Sequence, residues 1–290
     1  MLGTVNRGDP FHEPIVTPEG TFVYADRVIQ MFEKMELDAL ICIGGDGTLA
    51  IAHEFYKRGI PLVGVPKTID NDIYGTTSCF GFDTAVSFAT DAIDRLHTTA
   101  EAHRRILVVE VMGRYAGWIA LHAGVAGGAD VILIPEIPYD LDKVAQCIRD
   151  RDKWGARFSI VVVAEGARPK GGSMSVLEAA HDGQAERLGG AAMLCAQELE
   201  PRAGKQTRYV VLGHLQRGGA PTAFDRTLAT RFGGKAVELL LKGQFGKMVA
   251  NHPPDIVPIP LGEVVGRIKT VPLESDLVQT ARALGVSFGD

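Results

Sequence analysis

No apolar run in the chain approaches the roughly 20 residues that a membrane-spanning helix requires, and the N-terminus lacks a basic stretch followed by an apolar core. Cysteine is scarce. Cys42, Cys79, Cys147 and Cys195 each lie in or beside an apolar segment, with no CxxC spacing. This argues against a disulfide framework or a thiolate zinc site and reads as buried free thiols in a reducing cytoplasm. Neither sign of charge dominates: 30 basic against 35 acidic residues give −5. Nucleic acid and anionic membrane are therefore poor general partners, and any anion site must be local. Histidines show no metal-ligand spacing, so His53, His97, His103, His122 and His181 read as structural or surface residues. Low-complexity stretches are missing as well. The remainder, 290 residues of which 46% are hydrophobic and 22% charged, is globular, with room for one large or two modest domains.

The most informative stretch is 39–72. It runs from an apolar segment (39–43) through Gly44-Gly45-Asp46-Gly47-Thr48, an amphipathic segment (49–57) and a second apolar run (62–65) to Pro66-Lys67-Thr68-Ile69-Asp70-Asn71-Asp72. Both apolar runs have the length of buried parallel strands. Thr48 is expected to cap the helix between them, with Leu49, Ala52 and Phe55 on its inner face and Gly59 at its end. The unit is a βαβ, and both loops leave the carboxyl ends of their strands, where open α/β sheets bind ligands. The glycines let backbone amides approach a polyphosphate, and the helix N-terminus adds positive potential. Asp46 would repel phosphate but can hold Mg²⁺ that touches phosphate. Asp70 can serve as general base for an attacking hydroxyl. The bland alternative is a tight turn whose glycines merely permit it.

Further along, the periodicity predicts helices over 24–35, 82–102, 141–154, 188–199 and 223–241, an Ala- and Gly-rich helix ending at Gly127, and a short one near 277–284. Buried strands are predicted over 106–111, 131–134, 159–164 and 208–212, and residues 166–175 read as a mobile loop. Five predicted strands end in polar, glycine-bearing loops: GGDGT, PKTIDND, Met112-Gly113-Arg114, Glu165-Gly166, and the run from Gly213 through His214, Leu215, Gln216 and Arg217 to Gly219. A scaffold has no need of that repetition, whereas an active-site rim does. Arg105, Arg114, Arg208 and Arg217 are candidates for forked bonds to a phosphate, and Arg104 reads as a surface ion pair. Glu165, a carboxylate at a strand end, could accept bonds from hydroxyls of a bound ligand. His214 has an alternative reading as a buried residue satisfying backbone groups.

GGDGT followed by PKTIDND, with MGR and GHLQRGG, resembles the phosphofructokinase family, and the likeness runs through most of the chain. GGDGT alone is also similar to NAD kinases and lipid kinases; the other motifs argue against those. The resemblance implies an α/β fold of two similar Rossmann-like three-layer lobes with parallel-rich sheets and the active site in the cleft between them. Residues 1–82 and 215–267 would form the phosphoryl-donor lobe, and 83–214 with 268–290 the sugar-phosphate lobe. The implied reaction is MgATP-dependent phosphorylation of the 1-hydroxyl of fructose 6-phosphate, a step of glycolysis. Asp70 would be the base, Asp46 the Mg²⁺ holder, and Gly45, Asp46, Gly47, Thr48 and Arg7 the donor site. Thr68, Ile69, Met112, Gly113, Arg114, Glu165, His214, Leu215, Gln216 and Arg217 would bind the sugar phosphate, with Asp72 orienting its loop. Arg105 and Arg208 match residues that reach a neighbouring subunit's site, which implies a homodimer or homotetramer.

Two positions bear on the donor. Gly47 matches a site where glycine leaves room for the ATP α-phosphate and aspartate would block it. Lys67 matches one that is lysine in pyrophosphate enzymes. The pair resembles the mixed-substrate clade, and ATP is the expected donor with pyrophosphate as the alternative. The family's N-terminal βαβ unit, with its own glycine-rich loop, is not found before Met1. This leads to the expectation that residues 1–290 alone fold poorly and turn over slowly beside an upstream-extended version, and it leaves open a regulatory or degenerate subunit.

Overall fold

The computed structural model describes residues 10–11, 14–17, 20–178 and 187–290. A hairpin of β1 (Pro14–Thr17) and β2 (Gly20–Val23) leads into α1 (Tyr24–Lys34). The predicted βαβ unit follows as β3 (Leu40–Gly44), α2 (Asp46–Lys57) and β4 (Leu62–Thr68). Then come β5 (Phe80–Gly81), α3 (Phe82–His103), β6 (Ile106–Val111), α4 (Trp118–Ala126), β7 (Val131–Leu133), α5 (Leu141–Lys153) and β8 (Ser159–Ala164). A short pair, β9 (Val176–Glu178) and β10 (Arg187–Leu188), precedes α6 (Ala191–Ala203), β11 (Thr207–Val211) and a 3₁₀ turn, Gly213–Arg217. The chain ends with α7 (Ala223–Leu241), the hairpin of β12 (Lys247–His252) and β13 (Asp255–Pro260), α8 (Leu261–Val264) and α9 (Asp276–Ala283).

Two sheets carry the fold. One has the order β13-β12-β4-β3, with β5 beside the end of β4, and is parallel except for the β12–β13 hairpin. The other is wholly parallel, in the order β11-β6-β8-β7. Its central strands are apolar throughout because both faces are covered. Leu107, Val109, Ile160 and Val162 pack with Ala89 and Ile93 of α3 and Ile119 of α4, while Ile106, Val108, Val161 and Val163 pack with Val144 and Ile148 of α5 and Leu199 of α6. In the first sheet Leu62 and Met248 pack with Leu49 and Phe55 of α2. Val63, Val65 and Val249 on the other face pack with Leu228, Phe232 and Leu239 of α7.

Three expectations need correction. β3 and β11 are not buried: each is an outer strand among those described, and Ile43 and Val211 are 57% and 48% exposed. α7 reaches β4 and β12 but leaves the outer face of β3 bare. Thr48 does not cap α2, which begins two residues earlier at Asp46, with Gly45 as cap. Its side chain instead lies against Gly44, where any Cβ would strike it, so Gly44 is required by close packing rather than by a phosphate. Finally, the segment after β8 is anchored at its start, where Lys170 donates to the Tyr139 carbonyl at 2.7 Å and Tyr139 donates to that of Arg168 at 3.1 Å.

Phe232 is wholly buried and joins α7 to three strand residues of the first sheet. Phe232→Ala should cost about 3–5 kcal/mol of folding stability in denaturant titration. A loss below about 1 kcal/mol would mean that the face of this sheet does not depend on that ring.

Candidate active site

The loops after β3, β4, β6, β8 and β11 converge on one charged cleft. Asp46 and Gly47 open α2, both exposed. The first-turn amides of a helix have no partner within it, so this end offers donors to an anion. A Cβ on Gly47 would meet nothing within 4 Å. A cavity of about 300 Å³ adjoins it, lined by Leu49, Ala50, Ile73, Val264 and Ile268.

The loop after β4 turns on Asn71, a residue the sequence reading had not singled out. Asn71 is buried at φ 53°, in the left-handed region that asparagine tolerates better than most residues. Its amide oxygen accepts from Cys79 N at 3.0 Å and its amide nitrogen donates to the Thr77 carbonyl at 3.3 Å. Asp70 N donates to Thr68 Oγ1 at 3.1 Å. The turn holds Asp70 and Asp72 on either side of Asn71.

Burial pushes the Asp70 carboxyl above the usual range; Arg217 opposes the shift and Asp46 adds to it. Asp72 is pushed up to about 6, first by burial and then by Asp70 and Asp46, with Lys269 opposing. Glu165 is pushed up to about 7 by burial and by Asp70, and held back by the Gly113 backbone and Arg217. These influences place Asp46, Asp70, Asp72, Glu165 and Arg217 within one electrostatic neighbourhood. Among the described residues no group of three or more His, Cys, Asp or Glu forms a metal cage. Mg²⁺ is usually held by one or two carboxylates together with substrate phosphates. An exposed Asp46 at a helix N-terminus, beside the carboxylates of Asp70 and Asp72, suits that ion.

On the other wall, Gly113 sits at φ 138°, and a Cβ on Gly166 would collide with the Arg114 carbonyl. The two loops touch through backbone, with Gly166 N donating to the Gly113 carbonyl at 3.1 Å. The Arg114 guanidinium lies 5.2 Å from the centre of the Tyr115 ring. Met112 is buried and packs within the core of the second sheet. Gln216, expected at the sugar, is 1% exposed and joins Met112 N (3.2 Å) to the Gly213 carbonyl (3.1 Å). It braces the 3₁₀ turn against β6 instead. His214 and Leu215 are exposed, which removes the reading of His214 as a buried histidine. Lys67 is exposed at the end of β4, with Thr68 and Ile69 partly buried beside it.

Arg105 and Arg208 lie elsewhere. Arg105 precedes β6 and Arg208 pairs with Leu107 near that strand's start, roughly 17 Å of strand from Met112. Arg105 bonds Gln206 Oε1 at 2.6 Å, and Arg208 lies 3.7 Å from Glu200. Neither can join this chain's own cluster. Arg7 and His181 fall outside the described residues.

Because its folded pKa is raised, Glu165 binds its proton more tightly in the native state. It therefore favours folding at low pH, and that contribution is lost as pH rises from 4.5 through about 7. Glu165→Gln should be more stable than the parent in denaturant titration at pH 8, by on the order of 3 kcal/mol, with the gap closing by pH 5. A gap independent of pH would remove the buried-carboxylate account.

The phosphofructokinase family model matches residues 1–240. An "ATP-dependent 6-phosphofructokinase" of Chloroflexus aurantiacus is 56% identical over 293 residues, covering 100% of this chain and 80% of that protein. A "Pyrophosphate--fructose 6-phosphate 1-phosphotransferase" of Amycolatopsis mediterranei is 54% identical over 251 residues, covering 86% and 73%. Among solved structures, phosphofructokinase of Pichia pastoris in the T-state superposes with a TM-score of 0.74 at 32% identity, over 89% of this chain and 27% of that one. No helix among the described residues is long and apolar enough to cross a membrane. With its strand-end motifs gathered at one cleft and its relatives this similar, the chain belongs to the phosphofructokinase family.

Proposed function

We propose that the chain transfers the γ-phosphoryl group of ATP to the 1-hydroxyl of fructose 6-phosphate. The observation that carries this reading is Asp70, a partly desolvated carboxylate coupled to Asp46 on the donor side and to Arg217 and Glu165 on the acceptor side. The 1-hydroxyl oxygen attacks the γ-phosphorus while its proton passes to Asp70. The bond between the γ-phosphorus and the bridging oxygen breaks, and ADP leaves. A raised pKa brings Asp70 nearer the operating pH, where a general base is most effective. The α2 N-terminus with Gly45, Gly47 and Thr48 receives the donor phosphates, and the apolar cavity beside Gly47 has room for the nucleoside. Mg²⁺, held through Asp46, neutralises phosphate charge when bound. Lys67 and Arg7 act on the transferring phosphoryl group, since the reaction depends on positioning and charge stabilisation. Glu165, Thr68 and the backbone of Met112 and Gly113 orient the sugar, while Arg114 and Arg217 supply cations.

In this reading residues 1–82 and 215–267 serve the donor and 83–214 with 268–290 the sugar. Arg105 and Arg208, at the far end of their sheet, complete a second subunit's site in a homodimer or homotetramer of the cytoplasm. The second reading, pyrophosphate as donor, is favoured by Lys67 and by the Amycolatopsis mediterranei relative. The open space at Gly47 favours ATP.

Asp70→Asn should lower kcat by roughly 10²–10⁴ while sugar binding persists. Mixed with Arg208→Ala chains, it should regain activity through hybrid sites. Near-normal kcat in Asp70→Asn removes the base assignment, and no rescue despite proven subunit exchange removes the shared site.

A further inference from the structure

Behind the Asp70 loop runs a strap that the proposed chemistry does not use. Ile268 forms an antiparallel bridge with Ile73, and Lys269 N donates to the Asp72 carbonyl at 2.8 Å. The Lys269 ammonium donates to the carbonyls of Thr76 (2.8 Å) and Thr77 (2.9 Å), in the same loop. Four contacts then lead to the opposite wall. Trp118 Nε1 donates to the Lys269 carbonyl at 2.8 Å, and the ammonium lies 5.2 Å from the centre of the Trp118 ring. Val271 N donates to Glu136 at 2.8 Å, and the same carboxylate accepts from Gly117 N at 3.1 Å. Gly117 caps α4 just beyond Met112-Gly113-Arg114.

Lys269 is thus bonded on one side to the loop that carries Asp70 and Asp72, and on the other to the helix that follows the sugar-side loop. Its hydrogen bonds end on main-chain carbonyls, so it acts through the loops it joins. A polar side chain is an expensive choice for a partly buried crossing unless its bonds are needed. We infer that residues 268–271, centred on Lys269, hold the base loop and the sugar loop in one register, which makes Lys269 a positioning residue for phosphoryl transfer. The inference rests on Asp70 as the base. Displacing a reacting group by about 1 Å can cost on the order of 100-fold in rate, so such a tie acts on turnover more than on substrate capture.

The test is steady-state kinetics of Lys269→Met in the full chain, with thermal melting alongside. The expected result is a kcat lower by roughly 10–100-fold, with KM for both substrates within about threefold. A Lys269→Arg variant, which restores a donor for the carbonyls, should recover part of the kcat. A second variant, Trp118→Phe, keeps an aromatic ring and removes the bond to the Lys269 carbonyl. It should fold and lower kcat by about three- to tenfold. A folded Lys269→Met with parental kcat, or with a changed KM alone, overturns the proposal. Should Lys269→Met fail to fold, parental kcat in Trp118→Phe overturns it. Asp70→Asn, assayed in parallel, separates the two claims. Full activity there removes the base assignment, whereas an inactive Asp70→Asn beside a parental Lys269→Met removes only the strap.

Discussion

The cleft depends on carboxylates held together against their mutual repulsion. Asp70, Asp72 and Glu165 are partly withdrawn from water; Asp70 raises the pKa of the other two, and Asp46 raises those of Asp70 and Asp72. Left to themselves, such groups would take up protons or move apart. Arg217 opposes the repulsion at Asp70 and Glu165, and Lys269 opposes it at Asp72. The backbone prevents the loops from separating: the Asn71 turn, the Gly113–Gly166 contact and the Lys269 bonds each fix one of them. The result is a group of carboxylates beside a helix N-terminus. That arrangement suits an incoming phosphate with its cation better than either alone.

Small residues in the cleft serve two distinct ends. Gly44 and Gly166 are required by packing, since a Cβ at either would strike Thr48 or the Arg114 carbonyl. Gly47 is different: space surrounds it. A glycine that packing does not require, in the first turn of α2, is available for selecting a ligand. The sequence alone cannot separate these cases, because all three glycines stand in polar, turn-forming stretches.

Much of the architecture could be read from the residues. The strands 106–111 and 159–164 and the helix 223–241 have the predicted bounds, because their apolar pattern is set by sheets covered on both faces and by one long inward stripe. The reading failed where burial depends on what lies alongside. Leu40-Ile41-Cys42-Ile43 is as apolar as an inner strand, yet β3 stands at an edge among the described strands, and the predicted strand 208–212 falls on β11, at the edge of the other sheet. In the site, Asp46, Asp70, Glu165 and Arg217 were legible as polar residues at strand ends. Glu136 and Lys269 were not, since their roles rest on bonds to backbone distant in sequence, and Asn71 was not, since its role rests on closing its own loop. Asn71 had one available signal, an asparagine inside a polar turn between two aspartates. Gln216 was misread for the converse reason: it stands in a polar motif but faces inward.

The central claim is that this cleft moves phosphate from ATP to a sugar and that open space at Gly47 admits the nucleotide. It is tested most directly by steady-state rates with MgATP and with magnesium pyrophosphate, each with fructose 6-phosphate, for the parent and for Gly47→Asp. The account predicts that the parent prefers ATP. It also predicts that an aspartate at position 47, entering unobstructed space, suppresses ATP use by charge and bulk while the fold and the pyrophosphate rate are retained. A parent that uses pyrophosphate far better than ATP, or a Gly47→Asp enzyme that keeps its ATP rate, would contradict it.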